Sequence, residues 1–417
     1  MSRAMNSMSS TSAATVFKKS RLAGFFLLLG VVACQDAPTT EQQLLSRAST
    51  DGAAAAQLAR LRLAENDLTA ALQWWRQAAA LDAPGALEHA LMLQVRLEGK
   101  LATAHWLTAQ QAAGQDYTHQ LQPQLLAELG LWAMPPQTEF SAAENLAGAS
   151  CSLRIQPVVT SAAAERTYQL LAQQWQQDPQ LSQLPVCFAA VVRVQSTLLN
   201  CSEQAASRIH CEYQQLQQLV QQGQFQQLLL LGGRGIASFN NGIIQLPEDA
   251  NLALLRHEFL HIAGFLDEYA LSALAARAVC QSGRIAPNLL VGADNSTLAR
   301  YRQRYRVATQ DIELTAVDTC QAVGLQAYRP VAAVNSMRHF EAPLPQLYFD
   351  LLQQELEQAA LLMPVQYYFA YLARQQEAWQ DWYQLMHTAA GFGYPPAIRA
   401  LSKLNQTTTA AAAAAED

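Results

Sequence analysis

The sequence is short of charge. Only 14% of its 417 residues are Asp, Glu, Lys or Arg, while half are apolar. That balance excludes a mostly disordered chain, and the length allows two or three domains with a sizeable core. No block of basic residues occurs and the net charge is −6, which argues against nucleic acid as a partner. Phosphate-cradling loops are missing too: the glycine-rich string GGRG, Gly232 to Gly235, lacks the Lys-Ser/Thr of a P-loop and is read as a turn. There is no Gly-x-Ser-x-Gly, so a serine-hydrolase elbow is absent, and no Cys-x-x-Cys, so a cysteine zinc site is not expected.

What the chain does have begins at its N-terminus. Lys18, Lys19 and Arg21 precede LAGFFLLLGVVAC. Positive charge followed by about a dozen apolar residues is a secretory leader, too short to span a bilayer well. Its end, Val31 to Cys34, resembles the lipobox of bacterial lipoproteins. The resemblance implies removal of residues 1–33, lipid on Cys34, and the membrane as a partner through that lipid. Gln35 rather than Asp follows the cysteine, so the expected location is the bacterial cell envelope, on the outer membrane facing the periplasm. With Cys34 set aside, Cys151, Cys187, Cys201, Cys211, Cys280 and Cys320 remain. An even set in an exported chain predicts disulfides. Chain proximity favours Cys201–Cys211 and Cys280–Cys320, leaving Cys151–Cys187.

Composition then divides the chain. Residues 34–48 are polar and are read as a tether. Residues 49–134 are rich in Ala, Leu and Gln at helical spacing, with breaks near Asn66, Pro84 and Gly99. Leu68, Ala71 and Ala79 recur as Leu101, Ala104 and Ala112, an offset of 33. This pattern resembles tetratricopeptide-type helical repeats, which implies a stacked helical surface able to take a protein partner. Residues 135–150 are read as a linker. From 151 the grammar changes: strands are predicted at 151–160, 187–195 and 225–233, a helix at 162–177, and an extended segment around an NNG turn at 235–247. A loop-rich stretch is expected before 330, then a long helix at 344–362. Residues 346–406 echo the N-terminal repeats, and 407–417 is a low-complexity tail expected to fray. The fold class is α+β, with a domain over 151–345 flanked by all-α segments.

The chemistry concentrates in LLRHEFLHIAGFLDEYA, residues 254–270. His257 and His261 are four apart, so on a helix both rings point the same way. Two imidazoles so placed can each give one nitrogen to Zn²⁺, while Glu258 stands beside the open position as a general base. Histidine is scarce, 8 residues in all, and a chance His-Glu-x-x-His is expected only on the order of 0.01 times in such a chain. The apolar neighbours Leu254, Leu255, Phe259, Leu260 and Ile262 would leave the ring nitrogens without partners unless a metal supplied them.

Gly264 and Asp267 extend the string to His-Glu-x-x-His-x-x-Gly-x-x-Asp. It resembles the zinc-binding consensus of the metzincin peptidases. The resemblance implies a metzincin-like domain, a mixed twisted sheet plus an active-site helix. It implies one catalytic Zn²⁺ held by His257, His261 and Asp267, the glycine turning the chain back under the metal. Glu268 is the rival third ligand, since GFLDEY also resembles the ending found in immunoglobulin-A-peptidase-like zinc enzymes. The family further implies a Met-turn, for which Met337 is the candidate, and a residue two positions on that supports the transition state, here His339. It also implies an antiparallel edge strand within 235–247 that pairs with extended substrate. The expectation is a zinc metallopeptidase acting on peptide or protein substrates. The alternative is an envelope scaffold whose helical repeats bind a partner and whose zinc site is structural or inactive.

Overall fold

The computed structural model describes residues 40–132 and 151–415. The leader, Cys34, the start of the tether, the linker 135–150 and the last two residues lie outside the described residues. Among the described residues no helix is long and apolar enough to cross a membrane.

Residues 40–47 form a helix, α1 (Thr40–Arg47), where a tether was expected. Leu44 and Ala48 are buried against the helices that follow, which gives the segment a reason to fold. Those helices are α2 (Gly52–Ala64), α3 (Leu68–Ala80), α4 (Ala86–Glu98), α5 (Lys100–Ala112) and α6 (Pro123–Glu128). The Asp51 carboxylate accepts from Ala53 and Ala54 N–H, and that of Asp67 from Ala70 N–H, so both aspartates cap their helices. Ala55, Ala59, Ala71, Ala78, Ala90 and Ala104 are fully buried, which lets the helices approach closely. The 33-residue register holds at Ala71 and Ala104 and ends at Ala112, which is exposed.

The second part follows as β1 (Leu153–Val159), α7 (Ala162–Gln177), β2 (Val186–Phe188), β3 (Val192–Arg193), α8 (Ser196–Leu199), β4 (Glu203–Arg208), α9 (Gln217–Gln222), β5 (Gln227–Leu231), β6 (Arg234–Ile236), β7 (Ser238–Asn240), β8 (Ile243–Leu246) and α10 (Leu252–Leu260). The main sheet has the order β2-β1-β5-β8-β7, with β3 also pairing β1. All its pairs are parallel except β7 with β8. The β5 run QLLLL is buried throughout, as expected of a central parallel strand covered on both faces. The predicted strand 187–195 is two short pieces. The break faces Pro157 of β1, which offers no N–H, and there the Gln156 amide donates to the Ala190 carbonyl at 2.6 Å. Between β7 and β8, Asn241 and Gly242 both take positive φ, at 51° and 86°, the two-residue turn that keeps strands twisted together.

Helices cover both sheet faces. Ile155, Val159, Leu229, Leu231, Ile244 and Leu246 face a core shared with α7 and α10. Val158, Leu228, Leu230 and Ile243 face the other. Beyond α10 come α11 (Ala273–Val279), β9 (Ile285–Ala286), β10 (Leu289–Val291), α12 (Asn295–Tyr305), β11 (Thr315–Val317) and β12 (Ala327–Arg329). The stretch expected to be loops is thus a small antiparallel sheet of order β11-β12-β10-β9. Its strands are two or three residues long, too short to show an alternating pattern. The last helices are α13 (Gln346–Glu357), α14 (Val365–Gln375), α15 (Trp379–Gly391) and α16 (Pro395–Ala415). The boundary at 345 falls inside packed structure: α13 puts Tyr348 and Leu352 into the first core, while Val365, Phe369 and Leu385 of α14 and α15 fill the second. The alanine-rich tail continues α16 to Ala415, as alanine's helix propensity favours. The three cysteine pairs join as proximity suggested, Cys151–Cys187, Cys201–Cys211 and Cys280–Cys320.

The two parts dock through polar contacts. Lys100 pairs with Glu248 at 2.7 Å, and Trp132 Nε1 donates to the Val194 carbonyl at 3.1 Å. Gly99 precedes α5 and has no side chain to cap it. Glu203 of β4 takes that role, accepting from Leu101 N–H at 3.3 Å, and a Cβ on Gly99 would stand 2.0 Å from its Oε2. Burial pushes the Glu203 carboxyl up. Glu203→Ala is expected to cost about 1 kcal/mol, the usual worth of a helix cap. Glu203→Gln, which keeps an acceptor oxygen, should cost less. Urea unfolding followed by circular dichroism checks the order of the two; equal stability of Glu203→Ala and wild type would remove the capping role.

Candidate functional site

The metal-ligand candidates are set by how α10 ends. Asn251 caps its start, accepting from Leu254 N–H at 2.9 Å. The helix tightens into a single 3₁₀ turn over His261–Ala263. Gly264 then takes φ +83°, and a Cβ there would meet nothing nearer than Pro287 Cδ at 4.0 Å. Glycine is therefore needed for its backbone conformation rather than for space. The reversal carries residues 265–268 back beneath the helix.

That path brings His257, His261 and Asp267 together, with one ligand atom from each within 4.8 Å of the others. Asp267 Oδ1 lies 3.2 Å from His257 Nε2 and 3.4 Å from His261 Nε2. His257 Nδ1 meets the Ser336 carbonyl at 2.8 Å, and His261 Nδ1 the Phe265 carbonyl at 2.8 Å. A carbonyl oxygen can only accept, so both Nδ1 atoms carry hydrogen and donate. In the neutral rings both Nε2 atoms then present lone pairs. Asp267 Oδ1 is buried and has no hydrogen-bond donor. Three lone pairs converge with no proton among them. Such a cluster calls for a cation, and the donor set of two imidazoles and a carboxylate suits a divalent metal. Burial opposes charge on Asp267, but His257 and His261 beside it hold its carboxyl well below the usual range. Burial likewise pushes His261 down, and Asp267 outweighs it and raises the ring's proton affinity.

Glu258 is buried beside the triad without joining it. Burial pushes its carboxyl up, and the neighbouring histidines pull it down. It lines an open cleft of about 650 Å³ together with His257, His261 and Asp267. The edge strand β7 forms one wall through Ser238 and Phe239, and Arg338 to Glu341 form part of another. Among the described residues strand β7 pairs with β8 alone, so its outer edge carries backbone groups outside the ladder. No residue of 40–132 lines the cleft, so the helical part leaves it open.

Glu268, the rival ligand, is placed elsewhere. It is fully buried. Oε1 accepts from Tyr348 OH at 2.6 Å and Asn288 Nδ2 at 3.1 Å, Oε2 accepts from Asn335 Nδ2 at 2.9 Å, and Arg329 stands 3.5 Å away. Its backbone N–H donates to the Met337 carbonyl at 3.0 Å. Glu268 therefore ties the ligand loop to the turn holding Asn335, Ser336 and Met337. Met337 is fully buried in the core, and its turn reaches the triad through the Ser336 carbonyl. His339 stands exposed on the cleft wall, and the structure gives its ring no bond to the triad. Tyr269 was not singled out from sequence. It lines the cleft, and burial, with the negative charge of Asp267 nearby, raises its hydroxyl far above a free phenol. Its signal was its place, two residues after a candidate ligand.

Comparison with protein families and with curated proteins gives no match for the chain.

Proposed function

We propose that the protein is a zinc-dependent metallopeptidase of the cell envelope, anchored through lipid on Cys34. The single observation behind this reading is the convergence of three buried lone pairs beside a carboxylate that does not join them. Ligands roughly 2.1 Å from a tetrahedral zinc stand about 3.4 Å apart, which matches the 3.2 and 3.4 Å separations of Asp267 Oδ1 from the two Nε2 atoms. Three protein ligands leave one position open, as catalytic zinc sites do and structural ones do not. That favours an enzyme over a scaffold.

Zinc bound there would polarise a peptide carbonyl and acidify a water molecule. The chain's own residues supply the rest. The unpaired edge of β7 takes an extended peptide by backbone hydrogen bonds and lays it across α10. Glu258 takes the water's proton as the oxygen attacks the carbonyl carbon, then gives it to the departing amine nitrogen. Its raised proton affinity suits both halves of that exchange. The Tyr269 hydroxyl, beside Asp267, is placed to hydrogen-bond the oxygen that gains charge. Ser336 and Phe265 hold the imidazole orientations through their carbonyls.

The test is to measure zinc per chain and cleavage of a mixed peptide library before and after chelation. One zinc, with cleavage lost on chelation and restored by zinc, is the expected result. Chelation should also lower thermal stability, because a ligand that binds only the folded chain stabilises it by about 4 kcal/mol at a thousand times its Kd. A melting temperature indifferent to both chelator and added zinc would sink the metal assignment itself.

A further inference from the structure

The cleft carries three arginines, Arg208, Arg284 and Arg338. Two are engaged. Arg338 pairs with Asp318 at 3.0 Å and donates to the Glu268 carbonyl at 2.9 Å. Arg284 donates to the Ala278 carbonyl at 3.2 Å. The Arg208 guanidinium makes no hydrogen bond and no ion pair among the described residues, and it is exposed. A free guanidinium on the wall of a substrate cleft is a fork for a carboxylate.

Its place along the cleft is set by the strands. Arg208 is the last residue of β4 and stands opposite Ile236 in the β4–β6 pair. From Ile236 the chain continues directly into the cleft wall, through Ala237 and Ser238 to Phe239. Phe239 lies at the level of the general base, where β7 packs against α10 and both residues line the cleft. Three residues of extended chain span about 10 Å. A peptide laid along this wall therefore passes Arg208 about three residues from the bond held over the metal. Arg208 also lies close enough to Tyr269 for its charge to act on that hydroxyl, which places both on one side of the cleft.

We infer that the enzyme selects peptides bearing a carboxylate about three residues from the scissile bond, and that Arg208 is the residue that recognises it. This rests on the peptidase reading above. An acidic side chain and a free C-terminal carboxylate share the required chemistry. Because the guanidinium is exposed, the preference is sensitive to ionic strength, salt screening charges over about 8 Å at physiological concentrations.

Two measurements test it on the full chain loaded with zinc. The first uses fluorescence-quenched peptides that differ only in carrying Glu, Gln or Lys at the third residue on either side of the cleaved bond, or in ending as acid or amide. Wild type should favour Glu over Gln by about tenfold in kcat/KM on one side only, mostly through KM. Arg208→Ala should erase the preference, and Arg208→Glu should shift it to Lys. If the acid-over-amide pair alone shows the effect, the carboxylate is the C-terminal one. The second measures binding of the same peptides by fluorescence anisotropy to zinc-loaded Glu258→Gln, with and without Arg208→Ala. An Arg208-dependent preference in binding supports the assignment even if wild type cleaves nothing, in which case the peptidase reading alone fails. Equal binding of Glu and Gln peptides and of acid and amide forms, or a preference that survives Arg208→Ala, overturns it.

Discussion

Replacing Glu258 by glutamine is expected to leave one zinc per chain and to lower kcat by about 10²- to 10⁴-fold, the range a positioned general base contributes. The two side chains have nearly the same shape, so the cleft and the triad should be unchanged. His257, His261 and Asp267 form a group able to hold a metal without Glu258, so stoichiometry should not move. What changes is the proton. An amide cannot accept it from the attacking water or return it to the amine, while the proposed substrate path along β7 is untouched. KM should therefore move little, separating loss of the base from loss of binding. The measurement is zinc by elemental analysis on the protein used for kinetics. Unchanged turnover would remove Glu258 from the mechanism. Loss of zinc would make it a ligand and leave the reaction without a base.

Much of this site was legible because its spacing is local. His257 and His261 share a helix face by arithmetic, and Gly264 announces a reversal at a position where only positive φ serves. Asp267 then follows at the distance such a turn can return. The positions of β1 and β5 were also legible, since both are largely apolar and almost wholly buried, whereas β4 was not foreseen. What sequence concealed depends on contacts made far along the chain. Nothing near Glu268 announces that Asn288, Arg329, Asn335 and Tyr348 will surround it. The small sheet β9 to β12 reads as loops in the sequence because its pairing, not its residue pattern, makes it a sheet. Residues 346–406 resemble the N-terminal helices in composition, yet they complete the core on both faces of the main sheet, a fact that lies in the partner surface rather than in the helices. Arg208 was invisible for the same reason: β4 reaches the cleft only because it pairs with β6.

Adjacent acids with opposite duties give the second large effect. Asp267→Asn is expected to lose the metal while the chain stays folded, since it keeps the shape of the loop but removes the charge that two neutral imidazoles need beside them. Glu268→Ala is expected to do the reverse. It strips one acceptor group from Tyr348, Asn288 and Asn335 and leaves the Arg329 guanidinium, 8% exposed, without its nearest carboxylate. Breaking a buried charged network in this way costs about 3–5 kcal/mol. Glu268→Gln should cost less, because it still offers one oxygen, but its NH₂ must face the donors of Asn335 or Tyr348. Metal titration at a temperature where each variant is folded separates the two duties: Glu268→Gln should take up one zinc, and Asp267→Asn should take up none at micromolar metal. The opposite pattern would move the third ligand by one residue. It would also require the loop after Gly264 to turn so that Glu268 leaves the core, which its four buried partners oppose.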